Sequence, residues 1–498
     1  MRKIFLAIII SILTINVNYA QSIYVDNAFL FSQNDYGGTA RFVGMGGAFG
    51  ALGGDFSSIA INPAGLGVYR SSELVFSPGM TYNSNASSYL GNSITENNYN
   101  VNLNNIGFVA AYDLEDSDTR WVNFNFGVGF NRTTNLNDKL LYQGANNSSL
   151  MQIFVENANA TTTDPYELNS QYEFLIWDSY VMDFDTIAGE FYSEIVDEIA
   201  NDPANFEINQ RKLIEREGSI SEFNFSFGGN YAHKLYVGAS IGISRLRFNE
   251  YSSHYESETA GYPIPVIDAF EFREHSSTEG TGFNLKFGAI YKPLEFLRIG
   301  ASLHLPTFYT LQQEFYNEAY GEFETFNADP SSSEVSVYDY QLNTPLRAVG
   351  SVGFQIGKFG LIDVDYEYAD YSNMDLDDDF NEEFGVLADN RYIETIFQET
   401  HNIRVGGEFR LGSLYFRGGG RYSTSPYKDI EIALNSDYTK TTYSGGIGYR
   451  ENNFFIDFAF SQSLSSYKLM AYAHPDNTAE ANIDNTMNNF ILTFGFKF

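Results

Sequence analysis

Residues 121–131 read WVNFNFGVGFN. Val122, Phe124, Phe126, Val128 and Phe130 fall on one parity, and Asn123, Asn125, Gly127, Gly129 and Asn131 on the other. Successive side chains of an extended strand point to opposite faces, so this segment is a strand with one apolar face and one small, uncharged polar face. A strand of a soluble sandwich would turn Lys and Glu towards bulk water. Asn and Gly on the second face suit the interior of a membrane barrel.

The same alternation recurs along the chain. It is found at 73–83, 103–112, 222–232, 235–244, 281–291, 297–305, 346–356, 360–369, 402–411, 413–422, 442–449, 453–461 and 489–498, which with 121–131 makes fourteen strands. The links between them alternate in length. Those at 113–120, 233–234, 292–296, 357–359, 412–413 and 450–452 are short. Those at 84–102, 132–221, 245–280, 306–345, 370–401, 423–441 and 462–488 are long. Short periplasmic turns alternating with long outer loops are the pattern of a transmembrane β-barrel, and put both ends of the strand set on the periplasmic side. The expected fold is therefore all-β, a fourteen-stranded antiparallel transmembrane barrel over 72–498, closed so that no sheet edge meets lipid.

The remaining sequence fits that frame. Arg2 and Lys3, an apolar run from Ile4 to Ile15 and the small-residue site Asn18-Tyr19-Ala20 read as a secretory signal peptide over 1–20. There is no cysteine, so disulfides and thiol chemistry are excluded. The formal net charge of −34 argues against nucleic acid and against a membrane surface of anionic headgroups as partners. The acid gathers in the long links, as in DLDDDFNEE at 375–383. Within the longest link, Ile187 to Ile199 has helix-like apolar spacing.

Residues 21–71 precede the first strand and are expected to start on the periplasmic side. A barrel this wide has a lumen its own side chains cannot fill. The segment GMGGAFGALGGDFSSIAINPAGLGVYR at 44–70, with Phe29, Phe31, Phe42, Phe49 and Phe56 in or near it, could fold compactly inside as a hatch. Pro63 fixes its own φ and biases Asn62 towards extended geometry, while the Asn62 side chain can lock a turn. Asn62-Pro63-Ala64 is accordingly read as the fixed point of the hatch.

With GDFSSIAINPAGL at 54–66, TSPY at 424–427 ahead of a late outer loop, and the closing strand ending at Phe498, the mature chain resembles the FadL/TodX (OMPP1) family of outer-membrane transporters for long-chain fatty acids and hydrophobic compounds. The resemblance implies a monomer in the outer membrane of a Gram-negative bacterium. It implies passive uptake of a hydrophobic small molecule, without catalysis or cofactor. Ligand would land among the outer loops, enter a lumen pocket and leave once the hatch shifts, sideways through a gap in the wall. The outer-membrane lipid is the other partner. An alternative reading is a docking or secretion-associated barrel that uses its outer loops to hold a protein.

Other motifs dissolve on inspection. Gly44-Met45-Gly46-Gly47-Ala48-Phe49-Gly50 lacks the strand and acidic partner of a dinucleotide loop. Gly238-Ala239-Ser240-Ile241-Gly242 spells a nucleophile elbow, but Ser240 sits mid-strand, not at a strand-to-helix turn. Asp375, Asp377 and Asp379 begin like a calcium loop, yet Phe380 and Val386 replace its glycine and terminal glutamate. Six scattered histidines have no ligand spacing, so no metal site is expected.

The inward arginines are the remaining candidates. A hairpin centred on Gly412-Ser413 places Leu411 opposite Leu414, Glu408 opposite Arg417, and Arg404 opposite Arg421. Like charges face to face are costly unless an anion lies between them. A fatty-acid carboxylate held by Arg404 and Arg421 would fill that role, with Phe42 and Phe49 as apolar ligand contacts. The plainer reading pairs the arginines with Asp363, Asp365 or Glu367 on the neighbouring strand.

Overall fold

The computed structural model describes residues 23–114, 120–377, 385–430, 435 and 437–498. The signal peptide and the acidic run from 378 onwards lie outside the described residues. Fourteen antiparallel strands close into a barrel. They are β1 (Glu73–Tyr89), β2 (Asn92–Asp113), β3 (Trp121–Asn135, continued by Asp138–Asn146), β4 (Ile208–Tyr231), β5 (Leu235–Glu258), β6 (Ile267–Leu294) and β7 (Leu297–His304, continued by Phe308–Phe323). Then follow β8 (Ser336–Asn343 and Arg347–Ile356), β9 (Gly360–Asp370 and Asp375–Asp377), β10 (Glu399–Leu411), β11 (Leu414–Ser423), β12 (Lys440–Glu451), β13 (Phe454–Met470) and β14 (Glu480–Lys497). Closure is the pairing of β1 with β14, from Glu73 opposite Lys497 to Ser88 opposite Asn482.

The alternation in β3 resolves as the sequence predicts. Phe124 is exposed on the outer wall, while Asn123 and Asn125 point inward and are buried. Phe223, Phe225, Phe227, Ile241, Ile243, Phe283 and Phe287 extend the exposed apolar wall around β4, β5 and β6. Such a band outside a polar interior is what hydrocarbon selects. No described helix is long and apolar enough to cross a membrane.

Four stretches read as links are largely strand, among them 306–345, where β7 and β8 run over Phe308–Phe323 and Ser336–Asn343. β1 and β2 run on to Tyr89 and Asn92 through 84–102, turning on Leu90 and Gly91, both at positive φ (47° and 82°) as a tight hairpin turn requires. β5 and β6 likewise occupy most of 245–280, and β13 and β14 most of 462–488. Their outer face is mostly polar, because above the lipid it no longer meets hydrocarbon, and the apolar residues that remain, such as Phe248 and Phe270, face inward; the outward hydrophobic periodicity is silent there.

Part of the 132–221 link also continues β3 and β4, and between them lies a small helical cap. Helices Met151–Thr161, Glu173–Asp178 and Glu194–Asn201 share a core of Phe154, Leu175, Ile176, Phe191 and Ile195 with Phe270 and Phe272 of β6. The expected helix over 187–199 is correct only in its second half, since Glu190–Tyr192 pairs with Asp183–Asp185 as a hairpin.

The hatch fills the lumen, but its start is not where the sequence reading put it. Helix α1 (Ile23–Ser32) lies at the long-link end of the barrel. There Phe29 and Phe31 pack among Phe248, Tyr371, Phe397 and Tyr427. The chain then descends through α2 (Ala40–Gly44) and two 3-10 turns, Phe56–Ala60 and Pro63–Val68, to meet β1 at the short-turn end. Strand order fixes only where β1 begins; the largely apolar α1 packs in a buried aromatic cluster at the other end instead.

Candidate functional site

The hatch is built from short caps. Thr39 accepts from Phe42 N and donates Oγ1 to Asp55 Oδ1 at 2.8 Å, while Asp55 caps the first 3-10 turn through Ser57 N. Asn62 caps the second, accepting from Ala64 N at 3.0 Å. Its amide also donates to Gly50 O at 2.7 Å and to Ala289 O of the wall at 3.2 Å. Pro63 and Ala64 lie over Gly238, where an added Cβ would come within 2.4 Å of Pro63 backbone. Phe42 and Phe49 are fully buried against each other, 5.5 Å between ring centres, with Met45 and Leu52. They form the hatch core and line none of the cavities described below.

The glycines answer a packing demand. Gly46, at φ +65°, sits against Gly420, whose N would be 2.9 Å from an added Cβ. From the other side, Gly107 and Gly129 of the wall leave room for the ring of Phe56, which a Cβ at either would meet at 2.4 Å. Glycine on both surfaces lets backbone approach backbone.

Buried carboxylates of the wall hold this segment. Asp365 accepts from Phe49 N (3.0 Å) and Gly50 N (3.1 Å), and Asp363 from Ala51 N (3.2 Å). Glu408 takes Arg41 in a two-pronged contact (2.9 and 3.1 Å) together with Arg417 (2.7 Å), which also reaches Asp457 (2.7 Å). Glu367 accepts from Tyr36 OH at 2.5 Å and from Arg347 at 3.1 Å, and pairs with Arg404.

The register Glu408–Arg417 and Arg404–Arg421 is as the hairpin geometry requires. What separates the two facing arginines is their partners. Arg404 is buried, ion-paired with Glu367, and its guanidinium lies 4.5 Å from the centre of the Tyr36 ring. Arg421 turns to the hatch, where Nη1 donates to Asp35 O at 3.1 Å and Nη2 lies 3.8 Å from the Asp35 carboxylate. Lys440 closes on the same carboxylate. Burial opposes ionisation of Asp35, but Lys440 and Arg421 outweigh it and hold its pKa below the usual carboxylate range.

Above the hatch the lumen opens. One cavity is lined by Tyr36, Gly46, Asn102, Arg132, Arg421 and Asn489, among others. A second rises towards α1 between Phe29, Leu30, Leu136, Tyr438, Tyr467 and Leu469, with Asp26, Asp138, Arg216 and Lys440 also in its wall. Asp35, Thr134, Asn135 and Met487 line both, so the two adjoin. The sequence reading missed Arg132. Regular alternation would send it outward with Phe130, but a register shift between Arg132 and Thr134 breaks the pattern, as bulges do when they re-aim a side chain. Its hydrogen bonds go to neutral groups, Asn135 Oδ1 (2.9 Å), Gly218 O (3.2 Å) and Asn100 Oδ1 (3.3 Å), and its buried Nε has no partner. No acid pairs with it among the described residues.

These features define a class: a transmembrane β-barrel whose lumen is plugged by its own N-terminal segment and hollow above the plug. The particular fold is the FadL type. The chain matches the crystal structure of a Pseudomonas aeruginosa FadL homologue with TM-score 0.56 and 12% identity, over 93% of this chain and 98% of that one. It matches the P. putida toluene transporter TodX with TM-score 0.51 and 12% identity, over 93% and 99%. It matches the CymD monoaromatic hydrocarbon channel with TM-score 0.50 and 12% identity, over 93% and 98%. At such identities the likeness is one of fold. No protein-family profile and no curated protein matches the sequence.

Proposed function

We propose that this barrel passively conducts an anionic long-chain amphiphile, of which a fatty acid is the simplest, across the outer membrane of a Gram-negative bacterium, acting as a monomer. One observation supports this above the rest. The adjoining cavities gather Phe29, Leu30, Leu136, Tyr438, Tyr467 and Leu469 towards α1, among polar groups that include Asp26, Asp138 and Arg216, and carry Arg132 and Arg421 at the hatch end, which supports a hydrocarbon tail with a carboxylate head. The neighbours of like fold are named as a FadL homologue, a toluene transporter and a monoaromatic hydrocarbon channel, which supports a hydrophobic cargo; the two arginines favour a charged one.

In this reading the headgroup contacts are Arg132 and Arg421. Arg404 is not among them, because Glu367 already neutralises it. Asn62, Pro63 and Ala64 keep their role as the hatch's fixed point. The ligand enters past α1, its carboxylate competes with Asp35 for Arg421 and Lys440, and the hatch is loosened from the wall. The test is oleate binding to the purified protein in a nonionic detergent. Saturable binding, weakened in Arg132→Gln/Arg421→Gln, is expected; wild-type and variant proteins binding oleate alike would refute it. The helical cap with its own core supports a second reading, a docking surface for a protein partner. A partner captured by the wild type and lost on deleting residues 151–201 would favour that one.

A further inference from the structure

The short-turn end holds a recess that shares no lining residue with the lumen cavities. Its floor is the hatch elbow Leu52-Gly53-Gly54 with Val68, and its wall carries Arg298, Lys358 and Arg410. In a chain of net charge −34 such a cluster is against the grain. The other charges lining it are already matched, since Arg41 pairs with Glu408 and Arg450 with Asp457. Arg298, Lys358 and Arg410 have no ion-pair partner among the described residues. Arg298 donates to Leu52 O at 2.8 Å, leaving its buried Nε unpartnered. Arg410 donates Nε to Gly412 O at 3.0 Å, with its guanidinium 5.5 Å from the Tyr415 ring centre. Beside these cations lie Leu52, Val68 and Leu361.

We propose that this recess is a second binding site, separate from the lumen, for the carboxylate of an amphiphile. Arg298, Arg410 and Lys358 hold the charge by charge-assisted hydrogen bonds, and Leu52, Val68 and Leu361 receive the start of the chain. Because the bound molecule would touch both Leu52-Gly53-Gly54 and the wall, occupancy braces the hatch from below. Lys358 and Arg410 are exposed, so binding here weakens with added salt.

The experiment is equilibrium binding of radiolabelled laurate to the full-length protein in dodecyl maltoside, with heat-modifiable gel mobility as the check on folding. The wild type should bind laurate at two sites. Arg298→Gln/Arg410→Gln should lose one, and Lys358→Glu/Arg410→Glu, confined to exposed side chains, should lose the same one. Arg132→Gln/Arg421→Gln should lose the other. One site, lost only in the lumen variant, would overturn the recess and leave the transport reading standing. One site, lost only in the recess variants, would do the reverse. No laurate bound, with polyglutamate binding that depends on Arg410, would overturn this proposal in favour of an acidic protein segment.

Discussion

Arg421 of β11 and Asp35 of the hatch are joined twice, by the 3.1 Å hydrogen bond to the Asp35 carbonyl and by the 3.8 Å approach to its carboxylate. A residue that ties hatch to wall is thus also one of the two cations proposed to hold a ligand carboxylate. Removing the competing anion should help the ligand. Asp35→Asn is expected to bind oleate about tenfold more tightly, the equivalent of ~1.4 kcal/mol, as read by titration. Weaker binding would show that Asp35 assists the ligand and does not compete with it.

Arg132 should matter for charge and not for tail. A hydrogen bond to a charged group contributes about 1.5–3 kcal/mol. Arg132→Gln should therefore weaken oleate binding by at least tenfold while leaving oleyl alcohol little changed, and the ratio of the two affinities is the measurement.

Glu408 bridges Arg41 of the hatch and Arg417 of the wall in a buried setting. Removing one member of such a group strands the others and costs about 3–5 kcal/mol. Glu408→Ala should make the hatch cleavable by added protease under conditions where the wild type resists.

Gly107 faces the Phe56 ring with no room for a side chain. Gly107→Val should displace Phe56 and open the lumen to small solutes, seen as faster swelling of proteoliposomes. An unchanged swelling rate would mean that the hatch seals by other contacts.

The hatch latch has a defined response to acid. The pKa of Asp35 is lowered in the fold from 3.8, so its contribution is present above that value and lost as pH falls through the lower, folded value. The difference in unfolding temperature between wild type and Asp35→Asn should be flat from about pH 7 to about pH 5 and shrink only below about pH 4.

The barrel was legible in the sequence wherever one face of a strand meets lipid. WVNFNFGVGFN announces β3 because Phe124 must face hydrocarbon and Asn125 must meet the hatch, where its amide donates to Leu66 O at 2.7 Å. The pairing of Glu408 with Arg417 followed from a two-residue turn alone. Legibility stopped where that pressure stops. Above the lipid, β5 and β6 lose their outward apolar face and passed for loop. Arg132 was hidden because a bulge reverses the parity on which the reading rests. Which partner each of two facing arginines takes depended on Glu367 and Asp35, brought into place by closure and by hatch docking, neither of which leaves a local trace.

The height of the wall has one more consequence. The outward row Phe223, Ile243 and Phe283 is followed along β5 by Ser244 and then by paired strand as far as Glu258. At about 3.4 Å per residue and a tilt near 45°, that lifts this side of the wall roughly 35 Å clear of the apolar band, while β11 already ends at Ser423. The rim is a slope, high over β4, β5 and β6 and low over β11. Under the proposed function, a ligand coming from the medium would meet the raised side of that slope before the membrane.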